Sequence, residues 1–297
     1  MQDPYTIQVA MLTPITRDGG LDYETLDRQL ERLVGQEKMA LSILGSTGEG
    51  AALSYDLRCR LRQAVGDRVR NQVPLFTGVL NTIPTDVRAE LLSLSPATFQ
   101  GALVPPPFYY PMTAKELRAY FWSLAEVSPV PLMLYNIPPY TKIALPPVLV
   151  AELAQHPNIM GIKDSSRDFE YFLNLLHHVE HGDQFKILTG TDTLLSASLL
   201  AGGEGTVCAI ANVIPGSIKN LVGAISVSNI PAASRLQDQI NELAYRVRQA
   251  GGVAAWKYLA RKLDGGTGLP VDPYLPLSPE SPVAQHLDDL GASFGMT

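Results

Sequence analysis

Short apolar runs of strand length alternate with amphipathic stretches of helix length along most of this chain. Several runs are apolar on both faces, which is typical of parallel strands covered by helices. The eight runs are Ile7–Leu12, Ala40–Leu44, Pro74–Val79, Gly101–Val104, Pro131–Tyr135, Ile159–Lys163, Lys186–Thr189 and Gly205–Ile210. A series of this length favours a closed (β/α)8 TIM barrel of the α/β class over an open sheet.

The end of the chain departs from this alternation. After the eighth run, Ser217–Val227 can close the barrel as its last helix. Three more helices are then expected without strand partners, and they form a C-terminal helical appendage: Ala232–Arg248, Val253–Leu263 and Ser281–Leu290. We therefore expect a catalytic barrel over residues 1–228 and a C-terminal helical region over residues 229–297.

Composition narrows the class of protein. The formal net charge is -6 and the basic residues are scattered, so nucleic acid is not an expected partner. No apolar run approaches the ~20 residues that cross a bilayer, and no secretory signal opens the chain, so we expect no membrane association and a cytoplasmic location. Cys59 and Cys208 lack metal-ligand spacing and are expected to be reduced, buried thiols, so no metal site is predicted.

In a TIM barrel the catalytic groups lie at the carboxyl ends of the strands. This rule selects four segments: GSTGEG (45–50), PPPFYYP (105–111), YNIPPYT (135–141) and GIKDSS (161–166). Lys163 ends an otherwise apolar run, where low-dielectric surroundings favour a neutral, nucleophilic amine. The alternative is a structural ion pair between Lys163 and Asp164 or another carboxylate.

Three other segments complete the candidate site. Tyr135 ends the strand beside that of Lys163, so its hydroxyl is expected near an imine there as a proton relay, unless it is a core tyrosine. Ser46 and Thr47 lie between two glycines, where hydroxyls and amides suit a small anion, although a plain turn has the same composition. In PPPFYYP the prolines push Phe108, Tyr109 and Tyr110 outward, and such a cluster usually packs on a neighbouring subunit.

Four motifs in this order resemble the dihydrodipicolinate synthase/N-acetylneuraminate lyase superfamily of class I, pyruvate-dependent aldolases. They are Leu12-Thr13-Pro14 with Asp18-Gly19 and Asp22, Gly45-Ser46-Thr47-Gly48-Glu49, Tyr135-Asn136-Ile137-Pro138, and Gly161-Ile162-Lys163-Asp164. The resemblance extends from about Val9 to about Leu277. It implies a Schiff base on Lys163, a proton relay through Tyr135, and a site for the carboxylate of pyruvate at Ser46 and Thr47.

The resemblance also implies an assembly and an acceptor region. Tyr109 is expected to approach a neighbouring subunit's active site and join the relay, within a homo-oligomer that is a homotetramer in many members of the family. Gly190 and Asp192 resemble the segment that faces the acceptor part of the substrate in the sialic-acid lyase branch. No cofactor is expected, because the imine itself activates the substrate.

One departure bears on the substrate. Lysine-pathway synthases carry an arginine where this chain has Tyr140, and that arginine binds a carboxylate of the acceptor. Its loss indicates a poor dihydrodipicolinate synthase that prefers neutral aldehydes, unless Lys142 replaces the missing charge. We expect an aldolase or lyase acting on pyruvate or a 2-keto-3-deoxy acid with an aldehyde. The alternatives are 4-hydroxy-tetrahydrodipicolinate synthase and a non-catalytic keto-acid-binding barrel.

Overall fold

The computed structural model describes residues 5–295, in which eight parallel strands close into one barrel. The strands follow one another around the barrel in chain order, and the first pairs with the last. They are β1 (Thr6–Ala10), β2 (Met39–Ile43), β3 (Leu75–Gly78), β4 (Gly101–Val104), β5 (Leu132–Asn136), β6 (Ile159–Asp164), β7 (Lys186–Thr189) and β8 (Gly205–Cys208). The predicted TIM barrel is therefore confirmed, and each of the eight predicted strands is present.

Some strands end earlier than their apolar runs. Strand β1 ends at Ala10. Two residues later, the Leu12 amide donates to the Asn212 side chain at 3.1 Å instead of to a neighbouring strand. Strand β8 stops at Cys208 and leads into a single turn of 3-10 helix at Ile210–Asn212. Burial therefore continues past the strand ends, and an apolar run alone overstates the strand length.

Twelve α-helices cover the barrel and its carboxyl end in the part of the chain that is described. They are α1 (Tyr23–Val34), α2 (Tyr55–Val69), α3 (Pro84–Leu92), α4 (Ala114–Val127), α5 (Pro138–Thr141), α6 (Pro147–Leu153), α7 (Phe169–His178), α8 (Leu195–Leu200), α9 (Pro215–Ser226), α10 (Ile230–Gln249), α11 (Val253–Asp264) and α12 (Pro282–Ser293). None of these helices is long and apolar enough to cross a membrane.

Four of the helices between α1 and α9 begin with a side-chain cap. Asp22, Ser54, Thr113 and Asp168 each accept a hydrogen bond from an amide in the first turn of their helix. Helices α3 and α6 instead start with proline and have no side-chain cap, because proline suits the first helical position, where its missing N–H would have no partner. Side-chain caps therefore mark the first residues of four helices of ten or more residues.

The predicted C-terminal helices are present as α10, α11 and α12, and they pack on the barrel as well as on each other. Helix α10 contacts α9, and Gln237 on α10 donates to the Asp192 carbonyl at 3.0 Å. The same side chain accepts from the Ser196 amide at 2.8 Å. The helical region thus reaches the loop after β7, while its separation as a domain from residue 229 stays a prediction.

Candidate active site

A cavity of about 160 Å³ opens at the carboxyl ends of the strands. Its walls come from the loops after β2, β5, β6, β7 and β8, and also from α10 and α11. Its ionisable lining consists of three basic side chains, one carboxylate and two phenols: Lys163, Arg167, Arg248, Asp192, Tyr135 and Tyr140. The cavity therefore brings together all the predicted site residues except Tyr109, since Ser46, Thr47 and Gly190 line it as well.

Lys163 lies on β6 at the floor of this cavity and is only 4% exposed. The register of the barrel pairs Lys163 with Tyr135 on the adjacent strand β5. The lysine Nζ lies 3.5 Å from the Tyr135 hydroxyl and 4.5 Å from the centre of its ring. The amine is thus desolvated on one side and next to a proton donor on the other.

No carboxylate forms an ion pair with Lys163 among residues 5–295. Asp164 turns away, and its carboxylate accepts from the Asn136 side chain at 2.7 Å and from the Ser166 hydroxyl at 2.9 Å. Burial raises the pKa of Asp164 to about 6, although these hydrogen bonds act to lower it. The described residues therefore offer no carboxylate partner for the structural ion pair that was the alternative role of Lys163.

The loop after β2 carries Ser46 and Thr47 to the same place. The Ser46 hydroxyl lies 3.2 Å from the Tyr135 hydroxyl, so serine, tyrosine and lysine form a continuous polar chain. The loop is held from below by the Thr13 hydroxyl, which donates to the Gly48 carbonyl at 2.7 Å. A Cβ at Gly48 would lie 2.8 Å from the Met11 carbonyl, so the close approach requires glycine.

A buried ion pair supports this loop from the C-terminal region. Glu49, which has a left-handed backbone (φ 55°), pairs with Lys257 of α11, and both side chains are almost fully buried. Glu49 also accepts from the Val271 amide at 2.7 Å. Burial lowers the pKa of Lys257, although Glu49 acts to raise it. The sequence assigned Lys257 only to a helix, because its partner lies 208 residues away along the chain (257 − 49).

Gly190 makes room for the lysine. A Cβ at this position would lie 2.1 Å from the Ser165 hydroxyl and 2.5 Å from Cε of Lys163, so no larger residue fits beside the amine. Asp192 follows on the cavity wall, and its Oδ1 is shielded from solvent with no hydrogen-bond partner among the described residues. Burial raises the pKa of Asp192 to about 6, although Lys163 and Arg248 act to lower it.

Tyr140 lines the rim of the cavity and is 63% exposed. Lys142 does not line it, because its ammonium donates to the Pro139 carbonyl at 2.8 Å. Arg167 and Arg248 line it instead. The replacement of the missing arginine by Lys142 stays a prediction, and Arg167 and Arg248 are two further positive charges on the cavity wall. The strand-end rule selected neither arginine, because Arg248 lies on a helix that follows the barrel and Arg167 comes directly after the GIKDSS segment.

Tyr109 lies outside this cavity in the single chain. It is 84% exposed, stacks edge-on against Tyr110, and has a left-handed backbone (φ 101°). The expected outward direction is thus observed for Tyr109 and Tyr110, whereas Phe108 is half-buried, and the approach of Tyr109 to a second subunit stays a prediction. Elsewhere in residues 5–295, no three His, Cys, Asp or Glu side chains are grouped as metal ligands.

Comparison with known proteins gives a consistent result. Residues 3–287 match the model of the "Dihydrodipicolinate synthetase family". A 4-hydroxy-tetrahydrodipicolinate synthase from Xanthomonas axonopodis pv. citri (strain 306) is 32% identical over 277 residues, which cover 92% of this chain and 89% of that protein. One from Exiguobacterium sp. is 31% identical and covers 94% of both chains.

Solved structures agree over nearly the whole length. The prophage protein YagE from E. coli K12, described as belonging to the dihydrodipicolinic acid synthase family and solved in complex with pyruvate, is 26% identical, with a TM-score of 0.92 and coverage of 99% of each chain. Dihydrodipicolinate synthase from Aquifex aeolicus is 22% identical, with a TM-score of 0.91 and 98% coverage of each chain. This second likeness is one of fold.

Proposed function

Because the chain belongs to the dihydrodipicolinate synthetase family, as its motifs indicate, and is an enzyme of the lyase class, we propose that it is a Schiff-base-forming aldolase acting on pyruvate or a 2-keto-3-deoxy acid. The observation that carries the proposal is the buried Lys163 amine, which has no carboxylate partner within the described residues and lies 3.5 Å from the Tyr135 hydroxyl. A buried, unpaired lysine is uncommon unless it serves chemistry.

The first half of the reaction binds the keto acid. Its carboxylate is held by the hydroxyls and amides of Ser46 and Thr47, which places the ketone carbon beside Lys163. The neutral amine attacks this carbon, one amine proton moves to the oxygen through Tyr135, and a second proton supplied through Tyr135 lets the oxygen leave as water. The product is an iminium on Lys163, and its positive nitrogen draws electrons from the adjacent carbon.

The second half makes or breaks the carbon–carbon bond. Loss of a C3 proton converts the iminium into an enamine, which attacks the carbonyl carbon of an aldehyde, and the new alkoxide takes up a proton. Water then attacks the iminium, releasing the 2-keto acid product and the free amine of Lys163. Cleavage of a 2-keto-3-deoxy acid follows the same steps in reverse. Gly190, Asp192 and Tyr140 face the acceptor.

A second candidate activity is 4-hydroxy-tetrahydrodipicolinate synthesis, which uses the same iminium with aspartate semialdehyde as acceptor. It is favoured by the relatives at 31–32% identity, which carry that name. Tyr140 argues against it, because a phenol offers one neutral donor where an arginine offers two charged ones. The ratio of kcat/KM for aspartate semialdehyde and glyceraldehyde, with pyruvate saturating, separates the two activities.

The assembly is part of the proposal. Tyr109 and Tyr110 expose 84% and 74% of their surface, and Tyr109 has a backbone conformation that is strained for a residue with a side chain. We place this pair in an interface of a homotetramer, where Tyr109 extends the relay of a neighbouring subunit. Sedimentation of the protein at micromolar concentration tests this, and a fully active monomer would remove Tyr109 from the site.

The enamine step supplies the test of the reaction class. Pyruvate incubated with the enzyme in D₂O, without an aldehyde, should exchange its methyl protons, as followed by NMR. Adding a panel of aldehydes and analysing the products by mass spectrometry then identifies the acceptor. A protein that binds pyruvate without exchange would be the non-catalytic keto-acid-binding barrel instead.

A further inference from the structure

The charge of the cavity is opposite to that of the protein. The whole chain carries a formal net charge of -6, yet three basic side chains and a single carboxylate line the cavity. Such a concave, locally positive site in an acidic protein concentrates anions at its mouth. The Ser46–Thr47 loop accounts for one substrate carboxylate, so two arginines remain without an assigned role.

Arg167 is the first of them. It lies in the loop after β6, four residues beyond Lys163, and adopts a left-handed backbone (φ 65°). For a residue with a Cβ, this conformation costs about 1 kcal/mol relative to an ordinary one. Its guanidinium has no hydrogen bond or ion pair in the described chain, and its charge acts on the Tyr140 hydroxyl. A strained arginine therefore lies at the rim with its donors free.

Arg248 is the second. It lies in the last turn of α10, and its Nε donates to the Ala244 carbonyl of the same helix at 3.3 Å. No carboxylate within residues 5–295 forms an ion pair with it, although its charge acts on Asp192. Its neighbour Arg246, by contrast, is paired with Glu242 at 2.8 Å and does not line the cavity. The two arginines of one helix turn thus differ in their surroundings.

The topology separates these arginines from the proposed carboxylate site. Strands β2 and β6 are four positions apart in an eight-stranded barrel, so their loops lie across the opening from each other. Ser46 and Thr47 follow β2, whereas Arg167 follows β6. Lys163 reaches from β6 towards Tyr135, which contacts Ser46. A substrate with its carboxylate at Ser46 therefore extends its other end towards the arginines.

We propose that Arg167 and Arg248 bind a second anionic group, a carboxylate or a phosphate, at the far end of the substrate or of its aldehyde half. This inference rests on the proposed function for the position of the keto acid. It names two specificity residues that supply the positive charge missing at Tyr140, and so it predicts a preference for anionic acceptors, aspartate semialdehyde included, in place of the expected preference for neutral aldehydes. Each guanidinium offers planar, paired donors that fit either anion.

A binding experiment tests this without turnover. The probes are 2-oxoadipate and 2-oxohexanoate, which have the same chain length and differ only in the far carboxylate. Calorimetry should give at least ~10-fold tighter binding of 2-oxoadipate to the wild type, because charge-assisted hydrogen bonds at an exposed rim lie at the low end of ~1.5–3 kcal/mol. Arg167→Gln with Arg248→Gln should bring the two affinities together, and Arg246→Gln should leave their ratio unchanged.

Acceptor kinetics identify the anion. With pyruvate saturating, kcat/KM is compared for glyceraldehyde, glyceraldehyde 3-phosphate and succinic semialdehyde. The comparison is made in the wild type and in the double variant with Arg167→Gln and Arg248→Gln. A preference for the phosphate ester or for the carboxylate that disappears in the double variant supports the proposal and selects the anion. Equal rates for all three acceptors, unchanged by the substitutions, would overturn it.

The two proposals fail in different ways. If the wild type binds pyruvate but never forms an imine, the proposed function fails, while the calorimetric ratio still reports on the arginines. If the double variant loses affinity for pyruvate as strongly as for 2-oxoadipate, the arginines hold the keto-acid carboxylate and the inference is wrong. Equal binding of 2-oxoadipate and 2-oxohexanoate by the wild type would also reject it.

Discussion

The two halves of the cavity are built differently. The half that we assign to the keto acid comes from β2, β5 and β6, and its groups are buried and joined in the chain Ser46, Tyr135, Lys163. The half that we assign to the acceptor comes from the loops after β6 and β7 and from α10, and its arginines are exposed and unpaired. A fixed half suits a constant chemical step, and an open half suits a variable substrate.

The support of the two halves differs as well. The Ser46–Thr47 loop rests on the buried Glu49–Lys257 pair and on the Thr13 hydrogen bond. On the other side, one oxygen of the Asp192 side chain is shielded with no hydrogen-bond partner among the described residues, while the Asp192 carbonyl accepts from Gln237. Substitutions in the two halves should therefore separate imine formation from acceptor selection.

The largest effect is expected for Lys163→Ala. Turnover and exchange of the pyruvate methyl protons should both fall to the uncatalysed background, because no other described amine lies on the cavity floor. Thermal unfolding should show an unchanged or higher Tm, since the substitution removes a buried polar group and breaks no ion pair within residues 5–295. Residual exchange would mean that another lysine is the nucleophile.

Tyr135→Phe tests the proton relay in the keto-acid half of the cavity. The ring and its packing stay, but the hydroxyl that joins Ser46 to Lys163 is removed. Loss of a positioned acid or base should lower kcat by roughly 10²–10⁴, with little change in Tm. Steady-state kinetics with saturating pyruvate measure this, and an unchanged kcat would make Tyr135 a core tyrosine.

Lys257→Met tests the support beneath the Ser46–Thr47 loop. It leaves Glu49 buried without its cation, which should lower the free energy of unfolding by about 3–5 kcal/mol and raise the KM for pyruvate. Lys262→Met on the same helix is the matched control, because its pair with Asp288 is partly exposed and should contribute less than ~1 kcal/mol. Similar losses in the two variants, by denaturant titration, would count against a specific support.

Asp192→Asn concerns the acceptor half and should have the smallest effect. Burial raises the pKa of Asp192 from 3.8 to about 6, so the fold favours its neutral form. That contribution is fully present below pH ~4 and is lost as the pH rises through about 6. The variant should therefore match the wild type at pH ~4 and be more stable by about 3 kcal/mol at pH ~8.

Asp164 has a raised pKa of the same kind, so the wild type alone would not isolate Asp192. The difference in unfolding free energy between variant and wild type at each pH removes this shared contribution. We expect Asp192→Asn to keep imine formation with pyruvate while changing acceptor selectivity. A stability difference that does not vary with pH would show that Asp192 is ionised throughout.

The sequence predicted the barrel and the keto-acid half because both depend on local patterns. Each apolar run marks a strand, and each strand end marks a place at the cavity, so Lys163 and Tyr135 could be paired from the order of their strands alone. Ser46 and Thr47 followed from the glycines that surround them. The family motifs then pointed to the same residues.

The two arginines of the acceptor half and the ion pair beneath the Ser46–Thr47 loop could not be predicted in this way. Arg248 lies on a helix that follows the barrel, and no strand rule places that helix over the cavity. The pair of Glu49 and Lys257 joins distant segments and has no pattern in either one. Arg167 was visible next to a motif, but its left-handed backbone and its position at the rim are properties of the folded chain.

Borohydride reduction in the presence of pyruvate tests most directly whether Lys163 forms a Schiff base with the keto acid. The wild type should gain one irreversible pyruvate adduct per chain by intact mass, and peptide mapping should place it on Lys163. Lys163→Ala should gain none, while the variant with Arg167→Gln and Arg248→Gln should still be labelled, since its keto-acid half is intact. Absence of an adduct in the wild type, or an adduct on another lysine, would contradict the role of Lys163 as the Schiff-base nucleophile.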